Sequence, residues 1–231
     1  MKALVTGAAG FIGSTLSAAL VDRGIDVIGV DCFTDYYSRE VKEDNLARLR
    51  QHPKFTFVEA ALQTADLESL LDGVTVVYHL AAQAGVRKSW GDDFRIYTTN
   101  NVDATQRLLE AVKDRPLSRF VYASSSSVYG DIAAIPMRED VRLQPVSPYG
   151  VTKLAAEHLC HLYHVNFGVP AVSLRYFTVY GPRQRPDMGF HRFIRAALTG
   201  GAITLFGDGQ QTRDFTYVGD AVAATMAAGD R

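Results

Sequence analysis

The chain has 231 residues, 47% of them hydrophobic, and its 24 basic and 25 acidic side chains leave a formal charge of −1. That length suits one large domain, or one domain with part of a second, and the apolar content allows a sizeable core. The near-neutral balance, without a basic tail or face, argues against nucleic acid or an anionic membrane as partner. Two cysteines, Cys32 and Cys160, have neither a disulfide framework nor a metal-ligand spacing, and no metal is expected. No apolar stretch reaches the roughly 20 residues of a membrane helix, and no signal peptide precedes the first apolar run. A reduced, cytoplasmic setting is the expectation.

Apolar runs alternate with helical patterns in chain order. Strands are predicted near 2–6, 26–30, 55–58, 75–80, 119–123 and 170–174. Helices are predicted near 11–22, 40–50, 65–71, 94–113, 148–166 and 190–199, and a last helical run covers 221–228. Continuous apolar strands between helices imply a parallel sheet covered on both faces, hence a doubly wound α/β fold of Rossmann type. After about residue 176, Gly, Pro, Arg and aromatic residues interrupt the elements. The expected organisation is a dinucleotide-binding domain over 1–176 and a smaller, incomplete substrate-binding portion over 177–231, intermixed with the first.

The first strand runs directly into Gly7-Ala8-Ala9-Gly10-Phe11-Ile12-Gly13. Gly7, Gly10 and Gly13 permit a sharp turn and a close main-chain approach to a pyrophosphate, while the helix beginning at Phe11 and Ile12 offers unpaired N–H groups. Asp31 ends the second strand. A carboxylate there accepts the two ribose hydroxyls and repels a 2′-phosphate, which favours NAD over NADP.

A second signal is Ser147-Pro148-Tyr149-Gly150-Val151-Thr152-Lys153. Pro148 suits a first helical turn, and Tyr149 and Lys153, four apart, share a face. A lysine ammonium and an oxidised nicotinamide beside Tyr149 would lower its pKa, so that it acts as a general base towards a sugar hydroxyl. Ser125, at the carboxyl end of the fifth strand, supplies the hydroxyl for the reacting oxygen. Ser124, Ser126 and Ser127 are candidates for the rest of the sugar. His79 reads as structural.

The glycine spacing, Ser125, Tyr149 and Lys153 together resemble the extended short-chain dehydrogenase/reductase family, in its nucleotide-sugar epimerase/dehydratase branch. His79-Leu80-Ala81-Ala82-Gln83-Ala84-Gly85-Val86-Arg87 and Arg213-Asp214-Phe215-Thr216-Tyr217 resemble it too. The resemblance implies that Leu80, Ala81, Ala82 and Tyr176 join the cofactor wall, that a UDP-sugar is the substrate, and that the helices 94–113 and 148–166 pair in a homodimer. It also shows departures. Ala61 stands where an adenine-binding Asp is usual, Cys32 replaces a frequent Asn, Ala104 a frequent Gly, and Gly219 an acidic residue.

The loop before Val128-Tyr129-Gly130 has Ser126-Ser127, whereas sugar dehydratases carry Asp-Glu there and uronate decarboxylases a Glu. Hydride removal and return at C4, a 4-epimerisation, is the implied reaction. Asp35-Tyr36-Tyr37 and Pro182-Arg183-Gln184-Arg185-Pro186-Asp187-Met188 resemble UDP-glucuronate 4-epimerases. Thr178 is the expected hydroxyl for a uronate carboxylate; Arg87, Arg185 and Arg192 are its candidate cations; Arg213 is expected at the diphosphate and Phe206 at the uracil. A neutral UDP-glucose substrate and a non-catalytic dinucleotide-binding module are the alternatives.

Overall fold

In the computed structural model of the chain, which describes residues 1–131, 135–204, 207–210 and 212–230, the apolar runs assemble one central sheet. Its strands are β1 (Lys2–Thr6), β2 (Asp26–Asp31), β3 (Phe55–Glu59), β4 (Val76–His79), β5 (Arg119–Ser125) and β6 (Ala171–Tyr176). All pair in parallel, in the order β3-β2-β1-β4-β5-β6. The strand order reverses between β1 and β4, and this opens a crevice at their carboxyl ends. Two further strands, β7 (Thr178–Tyr180) and β8 (Phe215–Tyr217), form a small parallel pair. The helices are α1 (Phe11–Asp22), α2 (Arg39–Ala47), α3 (Leu67–Leu70), α4 (Phe94–Tyr97), α5 (Ala104–Val112), α6 (Pro148–Phe167), α7 (Gly189–Thr199) and α8 (Val218–Asp230).

Side-chain alternation along the strands divides the core into two layers. Ala3, Val5, Tyr78 and Val121 pack with Leu16 and Leu20 of α1 and Val222 and Met226 of α8. Leu4, Val77, Phe120 and Tyr122 face the other way, onto Leu108 and Leu109 of α5 and Ala156, Cys160 and Tyr163 of α6. The last helix therefore returns to cover the first sheet. It begins at Val218, three residues before the predicted run.

Local chemistry accounts for the helix ends. The Ser147 hydroxyl accepts from Gly150 N at 3.1 Å, Pro148 opens α6, and Gly168 closes it at φ +71°. Asp66 caps α3 through Ser69 N, and this helix is shorter than predicted. The predicted helix 94–113 is split: a π-helical stretch, Thr98–Asp103, separates α4 from α5. The wider turn accompanies a clamp made by buried Asn101, whose amide binds the main chain of Gln83 on both sides and the Thr152 hydroxyl at 3.0 Å.

His79 ties β1, β4 and α5 together. Ala81 N donates to Thr6 Oγ1, leaving that hydroxyl to donate to His79 Nδ1 at 2.7 Å. On the other side Thr105 Oγ1 donates to Asn101 O, so it accepts from His79 Nε2 at 2.9 Å. This chain of donors fixes the neutral Nε2–H form. Burial, reinforced by the Lys153 charge, pushes the His79 pKa down to about 3. The unfolded chain binds a proton near pH 6.5 and the folded one does not, so stability falls as pH drops from about 6.5 towards 3, by up to about 1.4 kcal/mol per pH unit. In urea titrations across this window, His79→Gln is expected to be less stable than the parent at pH 7 and to show a shallower acid slope; parallel slopes would contradict the assignment.

Candidate active site

The turn between β1 and α1 leaves no room for side chains at two of its glycines. A Cβ on Gly7 (φ +72°) would meet Ala81 N at 2.9 Å, and one on Gly13 would meet Gly7 O at 2.1 Å. Ser14 N is the first to bond within the helix, to Gly10 O, so the N–H groups of Phe11, Ile12 and Gly13 have no intrahelical acceptor. No acidic or capping side chain occupies this end. The groove at these carboxyl ends is a bare, partially positive cradle suited to a diphosphate.

At the tip of β2, Asp31 is oriented by two main-chain donors, Ala9 N at 3.2 Å and Phe33 N at 2.9 Å. Phe33 adopts φ +49° to make this contact. Gly7, Gly10, Phe11, Ile12, Gly13, Asp31, Leu80, Ala81, Ala82, Tyr149, Lys153 and Tyr176, all expected at the cofactor, line this one groove. Lys42 and Gln63 also line it, and neither is foreseen from sequence. Lys42 is buried, its Nζ bonding Thr34 O at 2.6 Å, and burial lowers its pKa against the pull of Asp31. Ala60, Leu62 and Gln63 form the wall where the adenine-binding acid is missing; Gln63 binds Thr99 O and Asn100 Oδ1.

At the other end of the groove, α6 brings Tyr149 and Lys153 against the end of β5. The Ser125 hydroxyl lies near the Tyr149 phenol and lowers its pKa, and it accepts from Ser127 N at 3.2 Å. Lys153 is 3% exposed; its Nζ donates to Ala123 O at 2.9 Å and lies 5.1 Å from the Tyr122 ring centre. Burial lowers its pKa to about 8, with Cys160 and Glu157 opposing.

Protein groups besides Lys153 also act on the Tyr149 phenol. Burial raises the Tyr149 pKa, and the neighbouring Ser125 hydroxyl and then the charge of Arg185 oppose it. Lys153 Nζ, 5.9 Å from the Tyr149 ring centre, is turned to the Ala123 carbonyl instead.

Ser124 borders the groove, but its hydroxyl donates to Glu157 of α6. Glu157 in turn holds Arg175 in a fork, Nη2 to Oε2 at 2.9 Å and Nε to Oε1 at 3.0 Å, and Arg175 reaches the Tyr129 hydroxyl at 3.2 Å. These side chains are 9% and 18% exposed. The network locks β5, β6 and α6 behind Ser125.

The candidate substrate residues separate into three groups. Arg185 lines the groove with Tyr149. Arg87, Arg192 and Arg213 line an adjoining outer cleft with Lys88, Tyr36 and Asp187. Ser126, Ser127 and Thr178 lie at the carboxyl ends of β5 and β6 and line neither; Thr178 N is taken by Asp214 O in the β7–β8 pair. Phe206 lies outside the described residues. Tyr36 and Tyr37 pack over the groove, and Tyr36 borders both spaces. Among the described residues no His, Cys, Asp or Glu cluster could hold a metal, and no helix is long and apolar enough to cross a membrane.

Residues 3–231 match the NAD dependent epimerase/dehydratase family. The chain belongs to it. Among its relatives is an uncharacterized UDP-glucose epimerase YtcB of Bacillus subtilis, 54% identical over 98% of this chain and 72% of that protein. A UDP-glucuronate 4-epimerase of Thermodesulfobacterium geofontis is 40% identical over 97% of this chain and 70% of its own. The crystal structure of UDP-glucuronic acid 4-epimerase from Bacillus cereus, in complex with UDP-glucuronic acid and NAD, superposes with a TM-score of 0.96 at 53% identity, covering 99% of this chain and 73% of that one.

Removing the negative partner of Arg175 leaves a largely buried cation unpaired. Glu157→Gln is expected to lower unfolding free energy by about 3 kcal/mol, and Glu157→Gln with Arg175→Met to recover much of it. A single variant as stable as the parent in urea would contradict the clamp.

Proposed function

We propose that the chain catalyses NAD-dependent 4-epimerisation of a UDP-sugar, converting UDP-glucuronate to UDP-galacturonate. The observation that carries this reading is the juxtaposition of Arg185 with the Ser125–Tyr149–Lys153 group, in a site whose β5 loop offers serines and no carboxylate. The similar UDP-glucuronate 4-epimerases support it.

The bare glycine turn and Asp31 fit NAD, which supplies the acceptor and later the donor of the C4 hydride. Tyr149 takes the proton of the 4-hydroxyl, and Ser125 holds that oxygen as it becomes a carbonyl. Lys153 keeps a positive charge beside the phenol. The 4-keto sugar then presents its other face, and Tyr149 returns the proton to the re-forming hydroxyl. Arg185, which lines the groove with Tyr149, takes the C6 carboxylate. The outer arginines, Arg87, Arg192 and Arg213, take the diphosphate end. The division into 1–176 and 177–231 is the functional one, with α8 serving the first unit structurally. Val151, Leu162 and Val165 are exposed along α6, an apolar face suited to pairing two copies through α5 and α6.

A 4-ketouronate is a β-keto acid and loses CO2 when the bond to its carboxylate aligns with the ketone π system. Fixing that carboxylate on Arg185 keeps it out of alignment.

Protein supplied with NAD and either UDP-glucuronate or UDP-glucose, its products separated by ion-pair chromatography, is expected to yield UDP-galacturonate from the first at the higher kcat/KM. The relative named as a UDP-glucose epimerase makes the second substrate the necessary comparison. Tyr149→Phe is expected to reduce turnover about 10²–10⁴-fold; full activity in that variant would end the proposal. Arg185→Met is expected to release decarboxylated 4-keto pentose from UDP-glucuronate, detectable by mass. An unchanged product mixture would remove the carboxylate role.

A further inference from the structure

Arg185 reaches the catalytic groove with only part of its donor set committed. Its Nε donates to Asp187 Oδ1 and its Nη2 to Asp187 Oδ2, each at 3.0 Å, while Nη1 takes no part in the fork. Five N–H donors in a planar fan allow one guanidinium to serve two carboxylates on different edges. Asp187 is itself held from a second side, since the Tyr36 hydroxyl donates to Oδ2 at 3.2 Å. Tyr36 has little freedom: a Cβ on Gly85 would meet its hydroxyl at 2.1 Å, and the Lys88 ammonium lies 5.3 Å from its ring centre. The turn beneath is closed by Gln184 N to Gly181 O at 3.2 Å, Met188 N to Arg185 O at 3.1 Å and Gln184 Nε2 to Val179 O at 3.1 Å.

We propose that Asp187 is a specificity-determining positioning residue, which occupies the Nε–Nη2 edge of Arg185 and so presents the Nη1 edge to the carboxylate of a uronate substrate. The inference rests on the uronate reading above. Its physical content is preorganisation. An unanchored arginine has many rotamers and loses that freedom on binding, whereas a forked one has already lost it. Because Asp187 balances much of the Arg185 charge, recognition depends on hydrogen-bond geometry more than on net attraction. A neutral hexose offers a hydroxymethyl group to a donor edge built for an anion and leaves part of it unpaired.

The test is a double-mutant cycle read by calorimetry on NAD-loaded protein, with UDP-glucuronate and UDP-glucose titrated separately into the parent, Asp187→Asn, Arg185→Met and the double variant. The parent is expected to bind UDP-glucuronate more tightly. Asp187→Asn is expected to cut that preference about tenfold, Arg185→Met at least as much, and the double variant no more than Arg185→Met alone. A role confined to folding would move both affinities together and leave their ratio intact, which overturns the proposal. So does a preference that rises in Asp187→Asn, since Asp187 would then be a competitor, or losses that add. Should Asp187→Asn not fold, as judged by near-UV circular dichroism, Asp187→Glu keeps the charge, displaces the fork, and is read by the same ratio. A parent that prefers UDP-glucuronate yet forms no UDP-galacturonate defeats the catalytic reading while the cycle still decides on Asp187. A parent without preference defeats both.

Discussion

One buried ammonium sets the geometry of the site. Lys153 gives up water at a substantial cost, and that cost is offset by the Ala123 carbonyl, the face of Tyr122 and the nearby Glu157 carboxylate. The bond spans two elements at a particular register. Ala123 stands two residues before Ser125 on β5, and Lys153 one turn beyond Tyr149 on α6. Fixing Nζ on that carbonyl therefore fixes the phenol against the Ser125 hydroxyl. A surface lysine at the same spacing would leave this pair free to separate.

The polar groups around this bond divide into a buried back and a partly solvated front. Behind β5, Ser124, Glu157 and Arg175 join three elements, and Asn101 ties the loop after β4 to α6 through Thr152. These groups are buried or nearly so, and each bond satisfies a donor or acceptor that would otherwise be costly. In front, Tyr36, Lys88, Arg185 and Asp187 belong to loops and are partly solvated. The proposed acid–base group thus sits on strand and helix, where positions are held closely, and the groups proposed to meet the variable part of a substrate sit on loops.

This division also explains what the sequence revealed. Strands of a two-sided sheet are nearly continuous apolar runs, so all six were legible, and the glycine turn, Asp31, Ser125, Tyr149 and Lys153 were legible because each is defined by its offset from a strand or helix end. Residues whose role depends on distant partners were not. Lys42 and Glu157 are charged positions on helices with no motif of their own; only the packing of α2 and α6 buries them. The π-helical turn has no composition of its own and follows from what Asn101 touches. Three arginines, Arg87, Arg185 and Arg192, looked interchangeable in the sequence, and only the fold sends Arg185 to Tyr149 and the other two to the outer cleft beside Arg213.

That sorting of charge runs along the whole groove. Asp31 stands at one end with its carboxylate held by main-chain donors, facing the place where an adenosine ribose is proposed to lie. At the other end the carboxylates near the cavity are already committed, Asp187 to Arg185 and Glu157 to Arg175. What remains there for a ligand is donor groups: the Tyr149 hydroxyl, one edge of Arg185, and the basic outer cleft. A UDP-uronate is negative in two separated places, its diphosphate and its C6 group, and the chain gathers cations in two separated places. A neutral hexose would match the outer set and leave the inner one unused. On the proposed function the inner arginine distinguishes the two substrates, and the fork from Asp187 gives that arginine its direction.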